Sequence, residues 1–410
     1  MTKIEKIVVS ILFDTVPERV GELVLFENKI YFKYDAVFLD RKINISPFKL
    51  PFHPAITNAL PTPFEGLFGV FDDSLPDGWG RLLLDRYLQS KGINPLAISP
   101  LDRLAYVGRN GRGALLYEPA FQSHESSNVG LELDAISKEM HLVLEGESTA
   151  IIDELFLLGG SSGGARPKIN VGYHSAKQHI ISSDRDLPEG YEHWIVKFTS
   201  SMDRVDAAQI EYAYHKMALQ AGLQMMPSRL FQGKSGQFYF GTQRFDRNQN
   251  KRIHTHTASG LLHDDFRMST LDYGHLMDAG FQLEKQVSIY EKILRLAAFN
   301  LYSHNRDDHS KNFSFLMDEN GLWRLAPVYD LTFSSSSMGS HSTSIAGAYK
   351  NPTSQHLLEL AQIFGIKNPN SVIEQVKDAV SNWEQIAKAC EVTSESIQLI
   401  QKTTTHLLKC

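Results

Sequence analysis

The polar stretch HNRDDHSKNFSFL, residues 304–316, sets Asp307 and Asn312 five positions apart, between an apolar helical run and an apolar strand-like run. A carboxylate and an amide at that interval suit phosphoryl transfer, in which an acid accepts the proton of the attacking hydroxyl and an oxygen donor holds Mg²⁺. The interval, with its Arg306-Asp307 pair, also matches the catalytic loop of protein kinases. Two other readings fit the same residues. One is a charged turn that caps a helix through Asp308 or Ser310. The other is a cluster of His304, Asp307, Asp308 and His309 ligating Zn²⁺ or Mn²⁺ in a hydrolase, which leaves Asn312 without a use.

Three further stretches bear on the choice. Asp330 ends the apolar run in LAPVYDLTFS, 23 residues beyond Asp307, where a two-lobed kinase keeps a second metal-binding Asp. Taken alone it is equally an ordinary strand-end turn. Lys197 is the one cation inside HWIVKF; in a kinase a strand lysine holds the nucleotide's phosphates, and otherwise it faces solvent. GGSSGGARPKINV, residues 159–171, gathers four glycines and two serines ahead of Lys168. Glycines let clustered N–H donors approach an anion closely. A Walker A loop needs Lys and Ser/Thr directly after the last glycine, and Gly164 is followed by Ala165 and Arg166, so that motif is excluded. A flexible Gly/Ser linker is the alternative. Glycine loop, strand lysine, Asp-x₄-Asn and later Asp follow one another in the order a kinase requires.

The elements that must position these residues follow from patterning. The 410 residues, 42% hydrophobic and 21% charged, suffice for two or three domains. A formal charge of −6 offers no global attraction to phosphate polymers. Cys390 and Cys410 alone cannot form a disulfide framework, which fits a reducing, cytoplasmic location. No apolar stretch reaches the roughly 18 residues of a membrane span. Ile7 to Phe13 predicts a first strand, GELVLFENKIYFKY a hairpin about Glu27-Asn28-Lys29, and SLPDGWGRLLLDRYLQSKGI a capped helix ended by Gly92. FQSHESSN, residues 121–128, reads as a linker. Strand-like PKINVGY, KQHIIS, EHWIVKF and FYFGTQRFD surround the helical EYAYHKMALQAGL. After residue 255, YEKILRLAAFNLYS and HLLELAQIF carry helical spacing, interrupted by the hairpin-like NFSFLMDENGLWRLAPVYD. A small β-rich lobe followed by a helical lobe implies a ligand in the cleft between them.

Together, SSGGARPK, HWIVKF, TQRFDR, NRDDHSKNFSF and YDLTFS resemble the HipA family of toxin–antitoxin serine/threonine kinases, and SLPDGWGRLLLDRYL and YVGRNGRGALLYEP resemble that family's N-terminal region. The resemblance implies an α+β, two-lobed protein-kinase-like fold preceded by a small β-rich subdomain. The divisions would be 1–125 for the N-terminal subdomain, 126–247 for the N-lobe and 248–410 for the C-lobe. It implies ATP and Mg²⁺, with Asp307 as proton acceptor and Asn312 and Asp330 as metal ligands. The phosphate loop falls on Ser161 to Lys168, placing Ser162, Gly163, Gly164, Ala165, Arg166 and Lys168 at the nucleotide. Lys197, the hinge residues Gln243, Arg244 and Phe245, and His309 and Lys311 join them. The family's autophosphorylated loop serine falls on Ser161, with Ser162 as a second acceptor, and Arg166-Pro167 differs from the Gln-Glu found at this point in the family's best-known member. A helix-turn-helix antitoxin of HipB type, DNA contact mainly through that antitoxin, and an aminoacyl-tRNA synthetase as protein substrate are likewise implied. A catalytically silent kinase-like corepressor or scaffold is the non-enzymatic alternative.

Overall fold

In KIVVSI the apolar residues alternate, and a strand resolves that period of two by turning one set to a single face. Ile7, Val9 and Ile11 are fully buried in β1 (Lys6–Ile11) of the computed structural model, which describes residues 3–121, 129–147, 149–160, 162–182, 186–201, 203–335 and 339–409. β2 (Glu18–Phe26) and β3 (Lys29–Tyr34) form the expected hairpin. Its turn residues Glu27 and Asn28 both take positive φ, 47° and 59°, the hand that matches strand twist in a two-residue hairpin. α1 (Ala36–Asp40), β4 (Thr57–Asn58), α2 (Gly69–Asp72), α3 (Gly78–Ser90) and α4 (Pro100–Val107) follow, and β5 (Leu115–Glu118) returns beside β1. The sheet order is β4-β3-β2-β1-β5.

Most of the FQSHESSN stretch, residues 122–128, lies outside the described residues. Beyond it come two helices that strand-dominated patterning does not announce, α5 (Leu133–Glu145) and α6 (Ile152–Gly159). In α5 the buried Leu133, Ile136, Met140 and Val143 recur three and four apart, the stripe of an amphipathic helix. β6 (Lys168–His174), β7 (His179–Ser182), β8 (Glu192–Lys197), α7 (Ala207–Gln220), β9 (Ser228–Gln232) and β10 (Phe238–Gln243) then build an antiparallel sheet ordered β7-β6-β8-β10-β9. Trp79, Leu83, Leu84 and Leu88 of α3 share one apolar core with Val171 of β6 and Val196 of β8. α3 therefore packs into the same core as the second sheet.

The remaining third is mostly helical. β11 (Arg247–Asn248), β12 (Lys251–Arg252) and β13 (His254–Thr257) lead into α8 (Ala258–Leu262), α9 (Tyr273–Glu284) and α10 (Ser288–Tyr302). β14 (Ser314–Met317) and β15 (Trp323–Leu325) form the expected hairpin and pair with β13. α11 (Ser354–Ile363), α12 (Pro369–Ser381), α13 (Trp383–Ala389) and α14 (Ser394–Leu407) close the lobe. Leu294, Ala297, Ala298 and Phe299 of α10 are fully buried, and a helix apolar on so much of its circumference belongs at the centre of its lobe. Its C-terminal end delivers the 304–316 loop. Among the described residues no helix is long and apolar enough to cross a membrane.

A buried ionic knot ties the N-terminal sheet to the second sheet. Asp246 accepts from Arg244 Nε and Nη2 at 2.9 and 2.7 Å, from Arg247 Nη1 at 2.9 Å, and from the Gly113 N–H at 2.8 Å. Arg247 also donates to the carbonyls of Gly111 and Gly113. Burial alone would raise the Asp246 carboxyl, but Arg244 and Arg247 hold it far below the usual range. Removing one member of such a knot strands the others in a dry interior. Asp246→Ala is expected to destabilise the protein by about 3–5 kcal/mol in urea unfolding; a loss under about 1 kcal/mol, the level of an exposed pair, would show that the knot is solvated.

Candidate active site

At the centre of the cleft, Lys197 at the end of β8 gives its ammonium to two carboxylates, Asp330 Oδ1 at 2.6 Å and Glu211 Oε1 at 2.5 Å. Three separate segments meet on this one nitrogen. Burial would lower the lysine's pKa, yet Asp330 and Glu211 outweigh it and raise it well above the ordinary value. Burial would likewise raise Asp330, but Lys197 and then Lys168 hold its carboxyl far below the usual range. Asp330 takes φ 59°, a left-handed conformation that aims its side chain back into the cleft. Lys168, opposite Lys197 across the β6–β8 ladder, donates to the Gly163 carbonyl at 2.6 Å. Burial and the Lys197 charge lower its pKa to about 8.

The 304–316 segment divides its side chains between cleft and interior. Asn312 Nδ2 donates to the Asp307 carbonyl at 2.8 Å, which fixes the two residues relative to each other across a short 3₁₀ turn. The Asp307 carboxylate opens towards the cleft, with 59% of its side chain exposed. Desolvation within the cleft raises its pKa; His309, at 3.9 Å, opposes that shift, and Asp330 and Asp308 reinforce it. Asp308 points the other way and is buried. It accepts from Tyr273 Oη at 3.0 Å and from the Ser342 N–H at 2.8 Å, and meets His341 Nδ1 at 2.9 Å. His304 stacks on Phe333 with ring centroids 5.0 Å apart. Of the alternative metal cluster, Asp307 and His309 thus stay together at the cleft while Asp308 and His304 turn away, and no group of three or more metal-ligating His, Cys, Asp or Glu occurs among the described residues.

The glycine loop follows α6 and closes the cleft from the side of the N-terminal sheet. Ser162 is buried, and its hydroxyl donates to the Gly159 carbonyl at 2.6 Å; Ser161 lies outside the described residues. Gly164 takes φ +84°, a backbone state that favours glycine. Its N–H donates to Asp77 Oδ1, whose other oxygen accepts from Lys311 Nζ at 2.8 Å. Lys311 also lies over the Phe266 ring at 4.7 Å. Arg166 is held by Asp203 at 3.1 Å. On the far wall, Phe245 meets Tyr329 at a centroid distance of 5.2 Å. The cavity is about 520 Å³, within the range of small-molecule sites.

Every described residue of the kinase-like reading lines this cavity: Ser162 to Arg166, Lys168, Lys197, Gln243, Arg244, Phe245, Asp307, His309, Lys311, Asn312 and Asp330. Glu211, Asp77 and Arg112 line it as well and do not follow from the motifs. For Glu211 a signal was present, since it sits on the same stripe as Tyr214 and Ala218, three and seven residues on, which are buried. A carboxylate on the apolar face of a helix needs a partner.

Family comparison gives two matches. The HipA N-terminal domain matches residues 13–118 and the HipA-like C-terminal domain matches residues 160–383. Among solved structures, HipA of the Shewanella oneidensis MR-1 toxin–antitoxin system, determined with HipB and operator DNA, superposes with a TM-score of 0.67 at 17% identity, covering 98% of this chain and 96% of that one. The Helicobacter pylori proinflammatory kinase CtkA aligns with a TM-score of 0.36 at 12% identity, over 53% of this chain and 87% of that one. No curated protein matches by sequence. The fold is accordingly the two-lobed, kinase-like arrangement with a β-rich N-terminal region.

The acidic wall beside Lys311 has a pH signature. Asp72, 3.7 Å from the Lys311 ammonium, is raised from 3.8 to about 6 by burial, against Lys311 and with Asp73 and Asp77. Because its folded pKa lies above the unfolded one, the folded state binds more protons between roughly pH 4 and 6, and the ionised carboxylate opposes folding above that window. Asp72→Asn is therefore expected to stabilise the protein at pH 7 by up to about 3 kcal/mol, the worth of a two-unit shift. The gain should shrink as pH falls through 6 and vanish near pH 3.5, measured as the difference in unfolding free energy between variant and wild type.

Proposed function

The chain belongs to the HipA family, and from that membership and the geometry of the cleft we propose that it is an ATP- and Mg²⁺-dependent serine/threonine protein kinase, the toxin of a toxin–antitoxin pair. The observation that carries the proposal is the Lys197 ammonium shared by Glu211 and Asp330 in one cavity with Asp307 and Asn312. Phosphoryl transfer by this fold class needs the strand-lysine to helix-glutamate pair and the metal-binding Asp in place together.

In this reading Asp307 stands at the acceptor hydroxyl. The hydroxyl oxygen bonds to the γ-phosphorus, the bond from that phosphorus to the bridging oxygen breaks, the proton passes to the Asp307 carboxylate, and ADP leaves. A carboxyl whose pKa is raised by its cleft is better matched to that proton than an ordinary one. Asn312 and Asp330 supply oxygen donors of the type Mg²⁺ takes alongside phosphate oxygens and water. Bound there, Mg²⁺ would neutralise charge developing on the phosphates. In this reading Lys168, Arg166 and the glycine-loop N–H groups would take the phosphates and Gln243 to Phe245 would hold the rest of the nucleotide, all of them lining the one cavity.

Family membership also supports a HipB-type helix-turn-helix antitoxin as partner, the Shewanella relative having been solved with HipB and operator DNA. The net charge of −6 suits DNA contact made mainly through that partner. A translation component such as an aminoacyl-tRNA synthetase is the proposed protein substrate. The proposed autophosphorylation site is Ser161, because the Ser162 hydroxyl is buried against the Gly159 carbonyl. A phosphoserine brings about −1.5 to −2 charges into a loop built for phosphate and would exclude ATP.

The test is to incubate the protein with Mg·ATP and map phosphosites by mass spectrometry, with Asp307→Ala as control. Phosphate on Ser161 in the wild type only, and transfer reduced on the order of 10²–10⁴-fold in Asp307→Ala, is the expected result. Undiminished transfer in a folded Asp307→Ala removes the kinase assignment of this loop. An unmodified loop in an active wild type removes the autophosphorylation switch alone.

A further inference from the structure

The first turn of α3 grips the glycine loop with backbone and side chain together. The Trp79 N–H donates to the Gly164 carbonyl at 2.9 Å, and Trp79 Nε1 donates to the Lys168 carbonyl at 3.1 Å. On the other side of the same residue, the Gly164 N–H donates to Asp77. Approach this close requires bare backbone on the α3 side. A Cβ on Gly78, which takes φ +46°, would lie 2.4 Å from the Gly164 carbonyl oxygen, and one on Gly80 would lie 2.2 Å from that of Ser162. The stretch DGWG is thus shaped to this contact and not only to starting a helix.

Asp77 stands at the N-cap of α3 yet makes no cap bond with the helix. An N-cap Asp ordinarily contributes about 1 kcal/mol through that bond, so its carboxylate is committed elsewhere. One oxygen takes the glycine loop at Gly164 and the other takes Lys311 of the catalytic segment. Its side chain is only 11% exposed. Burial would raise its pKa, but Lys311 and then Arg112 lower it to about 2, so the clasp is ionised throughout the physiological range. Arg112 supports the same wall, bonded to the Asp73 carbonyl at 3.2 Å and lying against Gly163.

We propose that Asp77 is a positioning residue that clamps the glycine loop over the cleft, by joining the Gly164 N–H to the Lys311 ammonium, so that the N-terminal region sets the affinity for Mg·ATP. The affinity part rests on the kinase reading above; the clamp itself does not. Any release of the loop from α3 must break the Gly164 N–H bond to Asp77 and the Trp79 N–H bond to the Gly164 carbonyl, which makes α3 the element against which the loop opens and closes.

Two variants test it from opposite sides. Asp77→Asn keeps the shape and removes the charge; Gly80→Ala pushes on the Ser162 carbonyl. Hydrogen exchange on the nucleotide-free protein should accelerate by about tenfold or more across residues 159–168 in both variants, with β1 to β3 unchanged, as local opening requires. For Mg·ATP, Kd and KM should rise about tenfold or more while kcat at saturating ATP stays within about threefold, the split expected when only ground-state positioning is lost. Unchanged exchange in 159–168 in folded Asp77→Asn overturns the clamp. Tighter Mg·ATP binding also overturns it, since Asp77 would then be an internal anion competing for the loop's donors. If the wild type binds no Mg·ATP, the kinase reading fails, and the exchange experiment still decides the clamp.

Discussion

One ammonium group organises the cleft. Lys197 comes from the central sheet, Glu211 from α7 and Asp330 from the segment that follows β15 in the helical lobe, and the three meet in contacts of 2.5 and 2.6 Å, Glu211 buried and the other two partly so. Desolvating such charges is expensive, and losing one partner leaves the others uncompensated. The geometry of sheet, helix and helical lobe is therefore fixed relative to this nitrogen. Two carboxylates face this lysine, and Lys168, with its pKa lowered to about 8 and so still mostly protonated at neutral pH, stands nearby.

The N-terminal region is part of this site and not an appendage to it. Asp77 reaches the glycine loop and Lys311, and Gly113 closes the Asp246 knot. A third tie is buried beneath them. Asp73 accepts from the Thr257 N–H at 2.7 Å and meets His256 Nδ1 at 2.6 Å, and His256 Nε2 meets Ser46 Oγ at 3.0 Å. Serine, histidine and aspartate in that order suggest a hydrolase triad, but His256 is wholly buried and Ser46 nearly so. The trio joins the first sheet to β13 and has no access to a substrate.

Much of the site was legible because its residues come in short motifs with fixed internal spacing. Asp307 and Asn312 are locked by a bond within one loop, so their interval in sequence is their geometry in space. Alternation and helical spacing likewise exposed β1, the β2–β3 hairpin, α10 and the β14–β15 hairpin. What stayed hidden depends on contacts between distant segments. Glu211 lies 14 residues from Lys197 on a different element, and Asp77 looks like an ordinary helix start until Gly164, 87 residues on, is brought against it. Asp308 and Asp307 are neighbours of one type, and only the buried Tyr273 and His341 decide that Asp308 turns inward. α5 escaped because its stripe sits just beyond a polar stretch, within a region otherwise rich in strand signals.

If the cleft gathered by Lys197 binds Mg·ATP as proposed, calorimetric titration shows it directly. The expected result is saturable, Mg²⁺-dependent binding of ATP to the wild type, weakened by about tenfold or more, or roughly 1.4 kcal/mol or more, in a folded Lys197→Met variant. ATP binding of equal strength in the two proteins, or binding indifferent to Mg²⁺, would contradict it.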